Sequence, residues 1–159
     1  MAKGKRNERN ERKATFVPAV FIAQSKKVRH IGRSERLTFD VGLTDSPHND
    51  FFAVDRCGQS VTVVLPGTYR FDLNMNIIPY SEVSHATVKF ESPDFDAAAA
   101  EFSETRVEVS MSQAHEGRVQ INTSTILPLA ANQQISVKFQ AAEKCVVLVG
   151  ARLMITRVG

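Results

Sequence analysis

No stretch of about 18 apolar residues occurs anywhere in the chain, so no helical membrane span is expected. The first residues are polar and basic and no apolar run follows them, which is not how a secretory signal begins. Only two cysteines are present, Cys57 and Cys145. They lie far apart and match no zinc-ligand spacing. The expectation is two reduced thiols, one or both in the core, since a long-range disulfide requires an oxidising compartment.

Recognisable chemistry is equally scarce. The histidines His30, His48, His85 and His115 form neither a His-x-His nor a His-Glu-x-x-His pattern, so no metal site is legible. His48 lies near Asp45 and Asp50, a composition typical of a solvated polar turn. Asp94 and Asp96 are one residue apart, as calcium-loop carboxylates often are, but no glycine and distal glutamate follow at the required spacing. No nucleophile elbow, phosphate-binding loop or dinucleotide fingerprint is present. The expectation is a structural or binding protein and not an enzyme, with no cofactor and no metal.

What the chain does have is an uneven charge. The net charge of the 159 residues is +3. Residues 1–13 hold Lys3, Lys5, Arg6, Arg9, Arg12 and Lys13 against Glu8 and Glu11, a local net of +4. The remaining fourteen cations and fifteen acids leave −1. The basic character therefore belongs to an N-terminal arm, residues 1–14, which has too little apolar surface to fold alone. Within it Arg6-Asn7-Glu8-Arg9-Asn10-Glu11-Arg12 is a small repeat. Glu8 and Arg12 stand four apart, so docking can support a short helix. Three roles are open to the arm: a solubilising tail, a contact to nucleic-acid phosphates by counterion release, or a strap along a neighbouring subunit, where Glu8 and Glu11 would pair. Many weak arms on one symmetric shell would gain strength by avidity. Lys26, Lys27, Arg29, Arg33 and Arg36, with His30 among them and Glu35 the only acid, form a second basic stretch. It reads as an exposed loop, or as one positive face with the arm. No aromatic residues interleave with these cations, so base stacking is not expected.

From Thr15 onward, in residues 15–159, apolar residues alternate with polar ones, the period of half-buried strands. The clearest case is Thr68 to Ile78. Tyr69, Phe71, Leu73, Met75 and Ile77 fall on one face, and Arg70, Asp72, Asn74 and Asn76 on the other. Pro66-Gly67 precedes it as a turn and Pro79 ends it. Shorter alternations run through Leu37, Phe39 and Val41; Val61, Val63 and Leu65; Val88 and Phe90; Val107, Val109 and Met111; Val119 and Ile121; and Ile135, Val137 and Phe139. The last strand, Val146 to Val158, contains Gly150, a candidate bulge. Only Pro93 to Glu104 breaks the rhythm, with a helical turn or a loop insertion expected there. About eight to ten short strands separated by turn residues predict an all-β antiparallel sandwich, a jelly roll.

The order of these segments resembles the compact jelly rolls of the C1q and tumour-necrosis-factor superfamily. Phe16 to Gln24 sits where the first strand of that family lies. Ser60 to Phe71 is similar to its apolar strand, Pro-Gly turn and aromatic strand. Leu127 to Val137 resembles its penultimate hairpin, and Gly150 to Ile155 its closing strand. The resemblance implies trimers with adjacent termini that bind a receptor or glycan. The basic arm departs from that pattern and is similar to the leaders of viral jelly-roll coat proteins. The leading expectation is accordingly a viral capsid, vertex or minor capsid protein. It would assemble with itself as a trimer, pentamer or shell in the host cytoplasm or nucleus, beside other capsid proteins and with viral nucleic acid on the arm. The C1q/tumour-necrosis-factor-like trimer is the alternative.

Overall fold

Strict alternation from Tyr69 to Pro79 places Gly67–Pro79 in one thirteen-residue strand, the longest among the described residues. In this computed structural model, residues 19–40, 49–79, 85–96, 104–108, 117–141 and 146–159 are described. They form eleven strands and no α-helix. In chain order these are β1 (Val20–Ser25), β2 (Arg29–Ile31), β3 (Ser34–Arg36), β4 (Phe52–Val54), β5 (Ser60–Val63), β6 (Gly67–Pro79), β7 (His85–Glu91), β8 (Glu104–Glu108), β9 (Val119–Leu129), β10 (Gln133–Ala141) and β11 (Val146–Arg157). A 3-10 turn, Asn49–Phe51, leads into β4.

The strands divide into two antiparallel sheets. The first has the order β1-β11-β6-β9, with β2 also paired to β11. The second has the order β4-β5-β10-β7-β8, with β3 also paired to β10. Consecutive strands therefore repeatedly change sheet, which is the winding of a jelly roll.

The core is the space between the two inner faces. Tyr69, Phe71, Leu73, Met75 and Ile77 enter it from β6, and Val61, Val63, Val88, Phe90, Ile135, Val137 and Phe139 from the opposite sheet. Aromatic rings join the sheets directly. Phe71 and Phe90 lie 5.2 Å apart between centroids, and Phe21 and Phe52 lie 5.3 Å apart. Phe52 also meets Tyr69 edge-on at 6.2 Å. Such contacts add about 1 kcal/mol each beyond area burial.

Two local devices keep side chains on the correct face. In β11 the register against β6 shifts between Leu148 and Gly150. Inward positions are even-numbered before it (Val146, Leu148) and odd-numbered after it (Ala151, Leu153, Ile155). The extra residue of the bulge absorbs that change of parity, as Gly150 suggested. In β9, Pro128 lies on a strand that pairs only with β6 among the described residues. An edge is where a sheet tolerates a residue without an N–H.

Several sequence expectations need correction. Leu127 to Val137 is not a hairpin: β9 belongs to the first sheet and β10 to the second, and the tight turn through Asn132 (φ 62°) carries the chain between them. Val119 to Leu129 is one continuous strand, although the polar run Asn122 to Thr125 hid its middle. Leu37 and Phe39 are buried, but their N–H groups bond the Val137 and Gly58 carbonyls and no ladder forms there. Cys57 is an exposed free thiol in the turn before β5, so of the expectation of one or both thiols in the core only the part that concerns Cys57 is settled. Val41, residues 97–103 of the segment after Pro93, and Cys145 lie outside the described residues.

Candidate functional site

The residues of the N-terminal arm, Lys3 to Lys13, lie outside the described residues. The Arg157 N–H bonds the Ala19 carbonyl at 2.8 Å, and β1 runs antiparallel to β11.

The second basic stretch is not one loop. It contains two strands that part to opposite sheets, β2 onto β11 and β3 onto β10. Lys26 and Lys27 are exposed in the β1–β2 connection, where the Lys26 N–H bonds Asp40 Oδ2 at 2.9 Å. Arg29 is half-buried and ion-paired with Glu35. Burial pushes the Glu35 carboxyl up, but the Gly32 amide and the Arg29 guanidinium bond it and hold it below the usual carboxylate range. Arg33 is exposed in the turn between the two strands. Arg36 reaches Glu91 on the second sheet, with Nε 3.6 Å from Oε2. Of the five cations, Arg29 and Arg36 therefore lie on opposite sheets, and Lys26, Lys27 and Arg33 in the connections beside them.

His30 on β2 and His85 on β7 are both exposed, as are Asp50, Asp94 and Asp96. His48, Asp45 and His115 lie outside the described residues. Among the described residues, no three His, Cys, Asp or Glu side chains are grouped so as to hold a metal ion.

The two outer faces differ in composition. On the first sheet, register aligns Val20, Thr156, Arg70 and Ile126 in one row. The next row is Ile22, Met154, Asp72 and Ser124, and the next Gln24, Arg152, Asn74 and Asn122. None of the outward positions of β1, β6, β9 and β11 is Lys or Glu. Arg70 Nε meets Asp72 Oδ1 at 3.0 Å, and the Asn74 amide donates to the Asn122 side-chain oxygen. A concavity of about 540 Å³ opens over these rows, between Asn74, Asn122, Ser124, Arg152 and Met154. Ile126, in the first of these rows, is 59% exposed. On the second sheet, Arg36, Lys138 and Lys89 stand as neighbours across β3, β10 and β7. Sequence reasoning identified Arg36 but not its row, because the three residues are widely separated along the chain and only register brings them together.

No protein-family model matches the sequence, and no curated protein matches it. Solved structures do. Murine APRIL superposes with a TM-score of 0.59 at 13% identity, over 89% of this chain and 100% of that one. The Eiger TNF of S. frugiperda gives 0.56 at 11% identity, over 91% and 93%. The globular domain of the zebrafish complement 1qA protein gives 0.53 at 13% identity, over 88% and 96%. The fold of this chain is thus the jelly-roll sandwich shared by tumour-necrosis-factor-like and C1q-like domains.

Proposed function

We propose that the chain is a C1q/tumour-necrosis-factor-like module that assembles with copies of itself as a trimer and binds a receptor or glycan through its remaining surface. The observation that carries this reading is the outer face of the first sheet. Among the described residues, its outward positions on β1, β6, β9 and β11 lack Lys and Glu and present Arg70, Arg152, Met154, Ile22 and Ile126. Interface cores are depleted in Lys and Glu and enriched in Met and Arg. The likeness to APRIL, Eiger and the complement 1qA domain supports the same reading at the level of fold.

The mass of the particle in solution tests it. Light scattering or native mass spectrometry should give three times the chain mass of 17.6 kDa. A monomer would overturn the proposal. Particles of megadalton scale would transfer it to the capsid reading, which rests on the +4 charge of residues 1–13. In that case, removing those residues should reduce shell formation or nucleic-acid content.

A further inference from the structure

The outer face of the first sheet holds two guanidiniums and one carboxylate. Among the outward positions of β1, β6, β9 and β11 the charged residues are Arg70, Asp72 and Arg152. Arg70 Nε already meets Asp72 Oδ1 at 3.0 Å on the same strand. That pair is open to solvent, with the Arg70 side chain 54% exposed, so it contributes little on its own. A carboxylate has room for several donors, and among the described residues Arg70 is the one side chain that bonds this one.

Arg152 is the charge left over. It is exposed on β11, and among the described residues its guanidinium makes no ion pair. Register sets it between Gln24 and Asn74, with Asn122 next across. Those neighbours are uncharged amides, and the Asn74 and Asn122 side chains already bond each other. Asp72 stands one row away on the adjacent strand, opposite Met154. β11 has β1 and β2 on one side and β6 on the other, so Arg152 lies inside the face and not at its margin. It lines the concavity of about 540 Å³ together with Asp72, Asn122 and Met154. Any body that covers this face takes Arg152 out of water, which is unfavourable unless an anionic group meets it.

We infer that Arg152 of one copy pairs with Asp72 of the next, and that this crossed pair sets the register in which copies meet. The inference rests on the proposed trimer and names the residues that decide its geometry. Closed rotational symmetry repeats every residue around the axis. Three Arg152 side chains brought together repel unless carboxylates stand between them, and Asp72 is the carboxylate this face offers. The offset of one row and one strand between the two residues lets a rotated copy set its acid beside this cation. Asp72 then serves Arg70 of its own chain and Arg152 of its neighbour by charge-assisted bonds. A slipped register would set guanidinium against guanidinium, so the pair selects against wrong contacts as well as holding the right one.

The test is a charge swap, read by native mass spectrometry and light scattering of the full-length protein over a dilution series. Arg152→Glu and Asp72→Arg should each weaken assembly by about tenfold or more. The double variant Arg152→Glu, Asp72→Arg should recover most of that loss, which a merely structural role for either residue would not produce. Both positions lie outside the core, so circular dichroism and melting temperature should stay near the wild-type values. Assembly of Arg152→Glu at wild-type affinity, or a double variant no better than the single reversals, would overturn the inference. So would full assembly of Asp72→Asn, because an anion from solution would then be the acceptor. The wild-type mass separates the two readings. A wild-type monomer sinks the trimer and the pair together, and a wild-type trimer indifferent to Arg152→Glu sinks the pair alone.

Discussion

Tyr69 donates its hydroxyl hydrogen to the Leu65 carbonyl at 2.6 Å, spanning the Pro66–Gly67 crossing from one sheet to the other. The side chain is fully buried, so this bond is the phenol's route to satisfying a polar group in an apolar core. Tyr69→Phe keeps the ring and its edge contact to Phe52 but strands the carbonyl. A loss of about 1–2 kcal/mol in unfolding free energy is expected, read from urea denaturation. Burial also raises the Tyr69 pKa above its ordinary 10.0, with Arg157 opposing. A raised folded value means that the unfolded state loses its proton first. This contribution is complete below pH 10 and fades as pH climbs through the folded value. The stability gap between wild type and Tyr69→Phe should therefore narrow above pH 10.

Gly67 is the second fixed point of the same crossing. A Cβ built there would lie 2.5 Å from the Gly159 carbonyl oxygen and 2.8 Å from Arg157 Nε. The first contact is backbone, held in place by the Thr68 N–H at 2.7 Å and by the Val158 N–H bond to the Thr68 carbonyl at 2.8 Å. Gly67→Ala should cost about 1–3 kcal/mol through displacement of this packed segment. Gly117→Ala, at a position with no neighbour within 4 Å among the described residues, meets the strain of its φ of 75° and should cost less. Denaturation midpoints of the two variants, measured side by side, check the order.

The face each residue occupies was readable from its period, and the sheet each strand joins was not. Alternation from Tyr69 to Ile77 and the parity change at Gly150 each have a local cause, so single residues announced them. A tight turn such as Ala130 to Gln133 looks the same in sequence whether its strands pair or separate. Separation is decided by distant partners, here Val63, whose carbonyl accepts the Asn132 N–H. For the same reason the cations from Lys26 to Arg36 looked like one patch. Ile31 is buried between them, yet nothing local says that β2 and β3 leave it for different sheets. The row Arg36–Lys138–Lys89 exists only through register, so no motif could have shown it.

The Arg29–Glu35 pair links those two strands and predicts a modest acid sensitivity. The folded pKa of Glu35 is lowered, so its contribution is present above the ordinary value of 4.5 and is lost as pH falls through the folded value. Both side chains retain solvent contact, and the pair is worth about 0.5 kcal/mol after screening. Glu35→Gln should lower stability by that order at pH 7 and 0.05 M salt, on the scale usual for exposed pairs. The difference from wild type should shrink toward zero below pH 4. A gap that persists at low pH would mean that Glu35 acts through packing and not through its charge.

Ile126 and Met154 provide the sharpest separation of assembly from folding. Both point away from the core on the first sheet, Ile126 on the edge strand β9 and Met154 on the central strand β11. Placing a charge on either leaves the interior untouched, so the melting temperature of the isolated fold should move little. If copies meet on this face, Ile126→Glu or Met154→Glu buries an unpaired carboxylate at the contact, at a cost of several kcal/mol. The particle should then fall to the chain mass at micromolar concentration, with an unchanged β-type circular-dichroism spectrum. Lys138→Glu on the opposite sheet serves as the control and should remain assembled. Dissociation by Lys138→Glu with no effect of the other two would move the contact to the second sheet.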